Sequence, residues 1–327
     1  MKKKILVTRQ YPPAGIRLLE KENHLLTIWD KSRSMTQDEL IRASLDHDAI
    51  LCTLTDRIDA RFLDQCRHLE MISQFAVGFD NIDVKHATQL GIPVGHTPGV
   101  LTRATADLAF GLMIAVARKM IFTHKTILRG EWGSFNPTGH LGMELKGKRL
   151  GVFGLGRIGI ETALLCKKAY DMDVIYCNRT GNPDAEALLG AKPVDFDTLL
   201  AQSDIVSVHC VLSPQTEGVF DLKAFKKMKP TAIFINTARG GIHRETDLIH
   251  ALEQGVIWGA GLDVTDPEPM SADNPLLDME TVCVLPHVGS ATVEARSAMS
   301  VLAATNLIEF YKNGTIPHIV NPEVIKK

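Results

Sequence analysis

Leu150-Gly151-Val152-Phe153-Gly154-Leu155-Gly156-Arg157-Ile158-Gly159 is the stretch on which the reading of this chain turns. A short apolar run reads as a strand, leads into G-x-G-x-x-G, and is followed by an amphipathic stretch over residues 158–169. In such a strand-to-helix turn the first glycine makes the tight turn and the second lets the backbone approach a pyrophosphate. The third lets helix and strand pack closely. The helix start, with Arg157 and Ile158, then offers free N–H groups to phosphate. Six residues alone also fit a glycine turn that binds nothing. The strand before, the helix after and a second strand at 173–177 select dinucleotide binding. About 150 residues precede the motif, so another domain comes first.

A chain of 327 residues fits two domains. With 45% hydrophobic and 23% charged residues it has the composition of an ordinary globular protein with large cores. Its net charge of −2 gives no electrostatic reason to expect nucleic acid or an anionic membrane as partner. The apolar run after Met1-Lys2-Lys3-Lys4 is too short for a signal peptide, and the longest one, 108–117, is far short of a membrane span. The expectation is a cytoplasmic protein. Six cysteines without a C-x-x-C pair read as reduced thiols, with neither disulfide nor metal site.

On the N-terminal side, strand patterns at 4–8, 26–29, 49–52, 71–74 and 92–94 alternate with helix patterns at 14–20, 37–44, 60–65 and 84–90. This is the signature of a small parallel sheet. The spacing then predicts one long helix from Thr102, as N-cap, to about Arg129, stopped by Gly130. Its apolar face suggests a dimer contact. Further strands are expected at 149–153, 173–177, 192–194, 205–208, 232–236, 259–263 and 282–285. An amphipathic helix over 292–312, closed by Gly314, is expected to pack back on the first domain. Substrate is expected between the two sheets, at the carboxyl ends of the strands.

Three short segments carry groups suited to chemistry. In Asn236-Thr237-Ala238-Arg239-Gly240, Arg239 follows a strand end, where a guanidinium can hold a carboxylate with two hydrogen bonds. His287, in Leu285-Pro286-His287-Val288-Gly289-Ser290, also follows a strand and can exchange a proton with a hydroxyl/carbonyl pair. Glu268 lies in the proline-stiffened Asp266-Pro267-Glu268-Pro269 and can orient the imidazole. Alone, each also reads as an ordinary loop residue.

Taken together, the fingerprint 154–159, Asn-Thr-Ala-Arg-Gly at 236–240, Leu-Asp-Val-Thr-Asp-Pro-Glu-Pro at 262–269 and Pro-His-Val-Gly-Ser-Ala-Thr at 286–292 resemble the D-isomer-specific 2-hydroxyacid dehydrogenases. The spelling around Glu268, with Asn274-Pro275-Leu276-Leu277 after it, is most similar to the glyoxylate/hydroxypyruvate reductase branch, near the 2-ketogluconate reductases. The resemblance implies an α/β fold of two doubly wound parallel-sheet domains. A Rossmann coenzyme domain, 104–290, is inserted in a flavodoxin-like substrate domain, 1–103, to which 291–327 returns. It implies Arg239, Glu268 and His287 as the catalytic trio and a homodimer reducing glyoxylate and hydroxypyruvate. The other readings are 2-ketogluconate reduction and, in another class, a dinucleotide-sensing corepressor, which the absent basic patch argues against.

The resemblance further implies that Leu54 and the backbone of Ala76, Val77 and Gly78 meet the substrate beside Arg239 and His287. Thr105, Thr237, Ala238, Asp263 and Gly289 are implied around the nicotinamide. Gly154, Leu155, Gly156, Arg157, Ile158 and Gly159 are implied at the pyrophosphate, with Cys210, Val211 and Thr216 nearby. Val211 stands where relatives usually carry proline. Ile242-His243 departs from the usual pair and is expected to act only from behind the arginine loop. Residues 132–145 match weakly.

The cofactor is read from the residues themselves. NAD enzymes usually place an acid roughly 20 residues past the fingerprint, on the ribose 2′-hydroxyl. Here the strand ends Tyr176-Cys177-Asn178-Arg179-Thr180, without one. Arg179 can pair with a 2′-phosphate and Asn178 and Thr180 can donate to it, so NADPH is expected over NADH. The alternative is that these residues simply begin a loop.

Overall fold

The computed structural model describes residues 2–325. It contains two compact units: the described part of Met1–Leu101 with Ser290–Lys327, and Thr102–Gly289. Met1, Lys326 and Lys327, which fall in the expected first domain, lie outside the described residues.

The smaller unit carries strands β1 (Lys4–Val7), β2 (Leu25–Ile28), β3 (Ala49–Cys52), β4 (Met71–Gln74) and β5 (Val94–Gly95). All pair in parallel, in the order β2-β1-β3-β4-β5. β3 and β4 are buried along their whole length, as parallel strands covered on both faces must be. The edge strand β2 is mostly exposed. The strand order reverses between β1 and β3, which opens a crevice at their carboxyl ends, beside Thr8 and Thr53-Leu54. The helix Val293–Asn313, capped by the Thr292 hydroxyl on Ala295 N–H at 3.0 Å, packs on the helix Pro13–Lys21. The Ser300 hydroxyl fastens that contact by donating to Pro12 O at 2.7 Å.

The larger unit carries β6 (Arg149–Phe153), β7 (Asp173–Cys177), β8 (Lys192–Pro193), β9 (Ile205–Val208), β10 (Ile233–Asn236), β11 (Gly259–Leu262) and β12 (Val282–Val284). Their parallel order is β12-β11-β10-β9-β6-β7-β8, so the direction of winding switches beside β6, where the fingerprint begins. Side chains alternate between two cores. Leu150, Val152, Val174, Ile233 and Ile235 pack on one face with Leu112, Met113 and Val116. Ile175, Val206, Val208, Phe234 and Leu262 pack on the other with Leu199, Phe220, Phe225 and Leu248.

The long helix expected from Thr102 to about Arg129 is two helices, Thr102–Ala117 and Met120–Leu128. Thr102, expected as the N-cap, is already the first helical residue. Lys119 turns left-handed at φ +52°. The cause lies some twenty-five residues downstream. The Ala117 carbonyl, instead of continuing the helical ladder, accepts from Met143 N at 2.9 Å. A side chain on the neighbouring Gly142 would sit 2.2 Å from that same oxygen. Lys119 is then held by Glu280 at 3.1 Å and lies over the Trp258 ring. Gly130, at φ +70°, ends the second helix as its position in the sequence suggests.

Candidate active site

The fingerprint turn in the larger unit assigns a separate physical task to each glycine. Gly154 has φ +101°, and a Cβ there would lie 2.5 Å from Cys210 N. The turn must therefore be glycine for the protein's own packing. Gly159 packs its helix on the strand, since a Cβ would lie 2.7 Å from Gly154 O and 3.0 Å from the Val152 side chain. Gly156 differs: nothing stands within 4 Å of the place its Cβ would take. That open space lies at the N-cap of the helix Arg157–Tyr170, which no side chain caps. Uncapped N–H groups beside room for a phosphate are what a pyrophosphate needs, so these residues fit a dinucleotide.

Beyond β7, Arg179 and Thr180 are exposed, and Arg179 makes no ion pair with any described residue. Asn178 is already engaged: its Oδ1 accepts from Leu155 N at 2.6 Å, and its amide nitrogen is 3.5 Å from Leu155 O. On the other side of the turn, Val211 is exposed, and the Thr216 hydroxyl donates to Val211 O at 2.7 Å. Burial pushes the His209 imidazole down to about 4 and the Cys210 thiol up to about 12. All six cysteines are free.

The second cluster lies at the carboxyl ends of β10, β11 and β12. Arg239 begins a short 3-10 turn, Gly240–Ile242, with its own Nη1 donating to Ala238 O at 2.7 Å. Asn236, fully buried, shapes that turn by donating to Arg239 O at 2.9 Å and accepting from Ala238 N at 3.0 Å. The amide nitrogen of Asn236 also reaches Nδ1 of the buried His243, at 3.1 Å. His243 thus stands behind the arginine turn, and burial lowers its imidazole to about 4. A Cβ on Gly240 would lie 2.0 Å from Thr265 O, so glycine lets the arginine turn rest directly on the loop that carries Glu268.

That loop delivers the Glu268 carboxylate to His287, with Oε1 2.6 Å from Nδ1. Burial alone would raise the Glu268 carboxyl. The hydrogen bond and charge of His287 and the field of Arg239 outweigh it and hold the group below its ordinary value. With Nδ1 so engaged, Nε2 of His287 makes no hydrogen bond to a described residue. His287 itself is left-handed, at φ +53°, a conformation that costs roughly 1–2 kcal/mol for a residue with a Cβ. Asp263 offsets that strain. Its carboxylate accepts from Val288 N and Gly289 N, each at 2.7 Å, while its carbonyl accepts from His287 N at 2.9 Å. Burial raises the Asp263 carboxyl above its usual range despite those donors. Thr105 joins this cluster through its hydroxyl, 3.3 Å from Gly289 O. Thr237 Oγ1 is buried with no partner, a deficit of about 1–3 kcal/mol that a ligand's hydrogen bond would relieve.

Glu268 and His287 are therefore in contact, with the Arg239 turn packed against their loop. Leu54, Val77 and Gly78 belong to the smaller unit. There Ala76, Val77 and Gly78 follow β4, and none of their N–H groups has a partner among the described residues. Asn81 ties the two loops of that unit together. It donates to Thr53 O at 3.2 Å and Asp56 O at 2.8 Å, and accepts from Gln74, whose amide also reaches Gly78 O. The buried Asp56 pins the Leu54 loop through Thr53 N at 2.8 Å. Asn81, Asp56, Asn236 and Asp263 in its carboxylate role were not singled out from sequence, because each acts on a backbone group set by the fold.

Residues 110–289 match the model of the D-isomer specific 2-hydroxyacid dehydrogenase, NAD binding domain. The chain belongs to this family. A glyoxylate reductase of Thermococcus litoralis is 43% identical over 329 residues, covering 99% of this chain and 98% of that one. A crystal structure of a Thermus thermophilus protein superposes with a TM-score of 0.90 at 35% identity, covering 97% and 99% of the two chains. That of an NADPH-dependent glyoxylate/hydroxypyruvate reductase from Sinorhizobium meliloti, in complex with NADP and malonate, gives 0.85 at 29% identity, covering 100% and 99%. As a 2-hydroxyacid dehydrogenase, the protein uses a nicotinamide dinucleotide. Among the described residues no helix is long and apolar enough to cross a membrane.

The glycine geometry separates folding from binding. Gly156→Ala should stay within about 1 kcal/mol of the parent in a urea melt while losing dinucleotide affinity. Gly154→Ala should be clearly destabilised, by overpacking and a left-handed backbone together. If Gly156→Ala bound NADPH and NADH as the parent does, the pyrophosphate would not lie over this turn.

Proposed function

We propose that the protein reduces glyoxylate and hydroxypyruvate with NADPH, giving glycolate and D-glycerate. The observation that carries the chemistry is the Glu268–His287 pair with Nε2 left available, next to the turn that bears Arg239. The reduced nicotinamide, when bound, supplies hydride to C2 of the 2-oxo acid. Arg239 binds the substrate carboxylate and polarises the adjacent carbonyl. His287, doubly protonated, gives its Nε2 proton to the carbonyl oxygen as the alcohol forms. Glu268 accepts from Nδ1–H throughout, so it fixes the ring and its tautomer. Leu54 and the backbone of Val77 and Gly78 are further substrate contacts in this reading. Thr105, Thr237, Ala238, Asp263 and Gly289 border the nicotinamide, and Cys210, Val211 and Thr216 the dinucleotide's other end.

The relatives named for glyoxylate support the substrate assignment. Measured as kcat/KM, glyoxylate and hydroxypyruvate should exceed pyruvate and 2-ketogluconate. A preference for either of the latter would overturn that assignment.

The pH sign follows from the pair. Glu268 is held below its ordinary range, so its carboxylate stays charged against His287, and that charge, with the activity that depends on it, is lost only as pH falls through the lowered value. In Glu268→Gln, which has no carboxylate to titrate, that acid-side loss should disappear while kcat falls, and His287→Ala should lose kcat by ~10²–10⁴-fold. An acid limb unchanged in Glu268→Gln would remove Glu268 from this role.

NADPH preference rests on the acid-free end of β7 and the exposed Arg179. Arg179→Ala should weaken NADPH by about 10- to 150-fold, the worth of a charge-assisted hydrogen bond, and leave NADH nearly unchanged. Equal losses for both, or a parent that prefers NADH, would contradict it.

A homodimer completes the reading. Met120, Ile127, Leu128, Trp132, Phe135 and Leu141 are all exposed within one stretch of chain, apolar surface that a second copy would cover. Sedimentation at the 36.0 kDa of one chain would contradict it. The free cysteines fit a reducing, cytoplasmic compartment.

A further inference from the structure

The loop after β7 does more than display Arg179. Asn178 at its start and Asn182 at its end both grip the same residue, Leu155, inside the fingerprint turn. Asn178 Oδ1 accepts from Leu155 N at 2.6 Å, and Asn182 Nδ2 donates to Leu155 O at 3.0 Å. Between them Arg179, Thr180 and Gly181 form a strap of three residues with no regular secondary structure.

Asn182 is the more constrained of the two. Its Oδ1 accepts from Ala185 N at 3.2 Å and so caps the helix Pro183–Leu189. Its backbone N–H donates to the Tyr176 hydroxyl at 2.9 Å, and that hydroxyl donates in turn to Glu186. Every polar group of Asn182 on this side is thus committed: the backbone to β7, the carbonyl oxygen to the next helix, the amide to the pyrophosphate turn.

We infer that Asn182 is a positioning residue for the adenosine 2′-phosphate. It locks the Arg179 strap at a fixed offset from the pyrophosphate turn, so that both phosphate sites are preset before the dinucleotide arrives. Exposed arginines are floppy, and ordering one on binding costs side-chain entropy. A strap tied at both ends confines the Arg179 backbone and reduces the freedom lost. The tether is neutral, so it acts through geometry rather than through charge. NADH carries no 2′-phosphate for Arg179 to meet and depends less on where the strap lies. This inference rests on Arg179 reading the 2′-phosphate, as proposed above.

The test uses Asn182→Ser, which keeps a good helix cap and adds no charge but is too short to reach Leu155 O. Asn182→Thr serves if the serine variant does not fold. Dissociation constants for NADPH and NADH are measured by nicotinamide fluorescence, without substrate, in the parent, Asn182→Ser, Arg179→Ala and the double variant. Asn182→Ser should weaken NADPH by about fivefold, the worth of one neutral hydrogen bond. NADH should change less than twofold, and in the Arg179→Ala background the serine should cost NADPH less than twofold as well. Equal weakening of NADPH and NADH, no weakening, or the full fivefold persisting without Arg179 would each overturn the inference. If Arg179→Ala itself fails to discriminate between the cofactors, the 2′-phosphate reading falls first.

Discussion

The whole candidate site depends on placing one carboxylate oxygen 2.6 Å from one imidazole nitrogen, across nineteen residues of chain. A charged hydrogen bond of this kind is strong only if both partners arrive already oriented. The sheet supplies the coarse placement, since β10, β11 and β12 end side by side and each hands a loop to the same edge. The fine placement is backbone work. Asp263 holds the His287 loop in a left-handed turn with two N–H bonds, and Gly240 lets the Arg239 turn lie against Thr265.

The same logic governs the dinucleotide side. Gly154 and Gly159 are glycines because the protein needs the space, whereas at Gly156 the protein leaves the space empty. That contrast is a physical signature of a ligand's place, and it stands beside a second one, the orphaned hydroxyl of Thr237. Both lie in the unit whose sheet reverses its winding beside β6.

Much of this was legible in the sequence, for a definite reason. The fingerprint, the Asn-Thr-Ala-Arg-Gly run and the Pro-His-Val-Gly segment are local: spacing along the chain fixes their geometry once a strand precedes them. The strands follow equally well from short apolar runs. What escaped is what depends on distant backbone. Nothing between Thr102 and Arg129 announces a break after Ala117, because the break is made by Met143 and Gly142. Asn178 reads as a donor for a phosphate, and what the sequence does not show is the second task of its side chain, whose carbonyl oxygen accepts from Leu155 N. Asp263 reads as a cofactor contact, and what the sequence does not show is that its carboxylate also accepts from two loop N–H groups.

The central claim concerns which nitrogen of His287 carries the proton. Nitrogen-15 NMR of the imidazole, in the dinucleotide-bound protein at a pH where the ring is neutral, reads this directly. The account predicts a proton on Nδ1, hydrogen-bonded to Glu268, and a bare Nε2, with that preference lost in Glu268→Gln. A ring protonated on Nε2 in the parent, or a tautomer indifferent to Glu268, would contradict it.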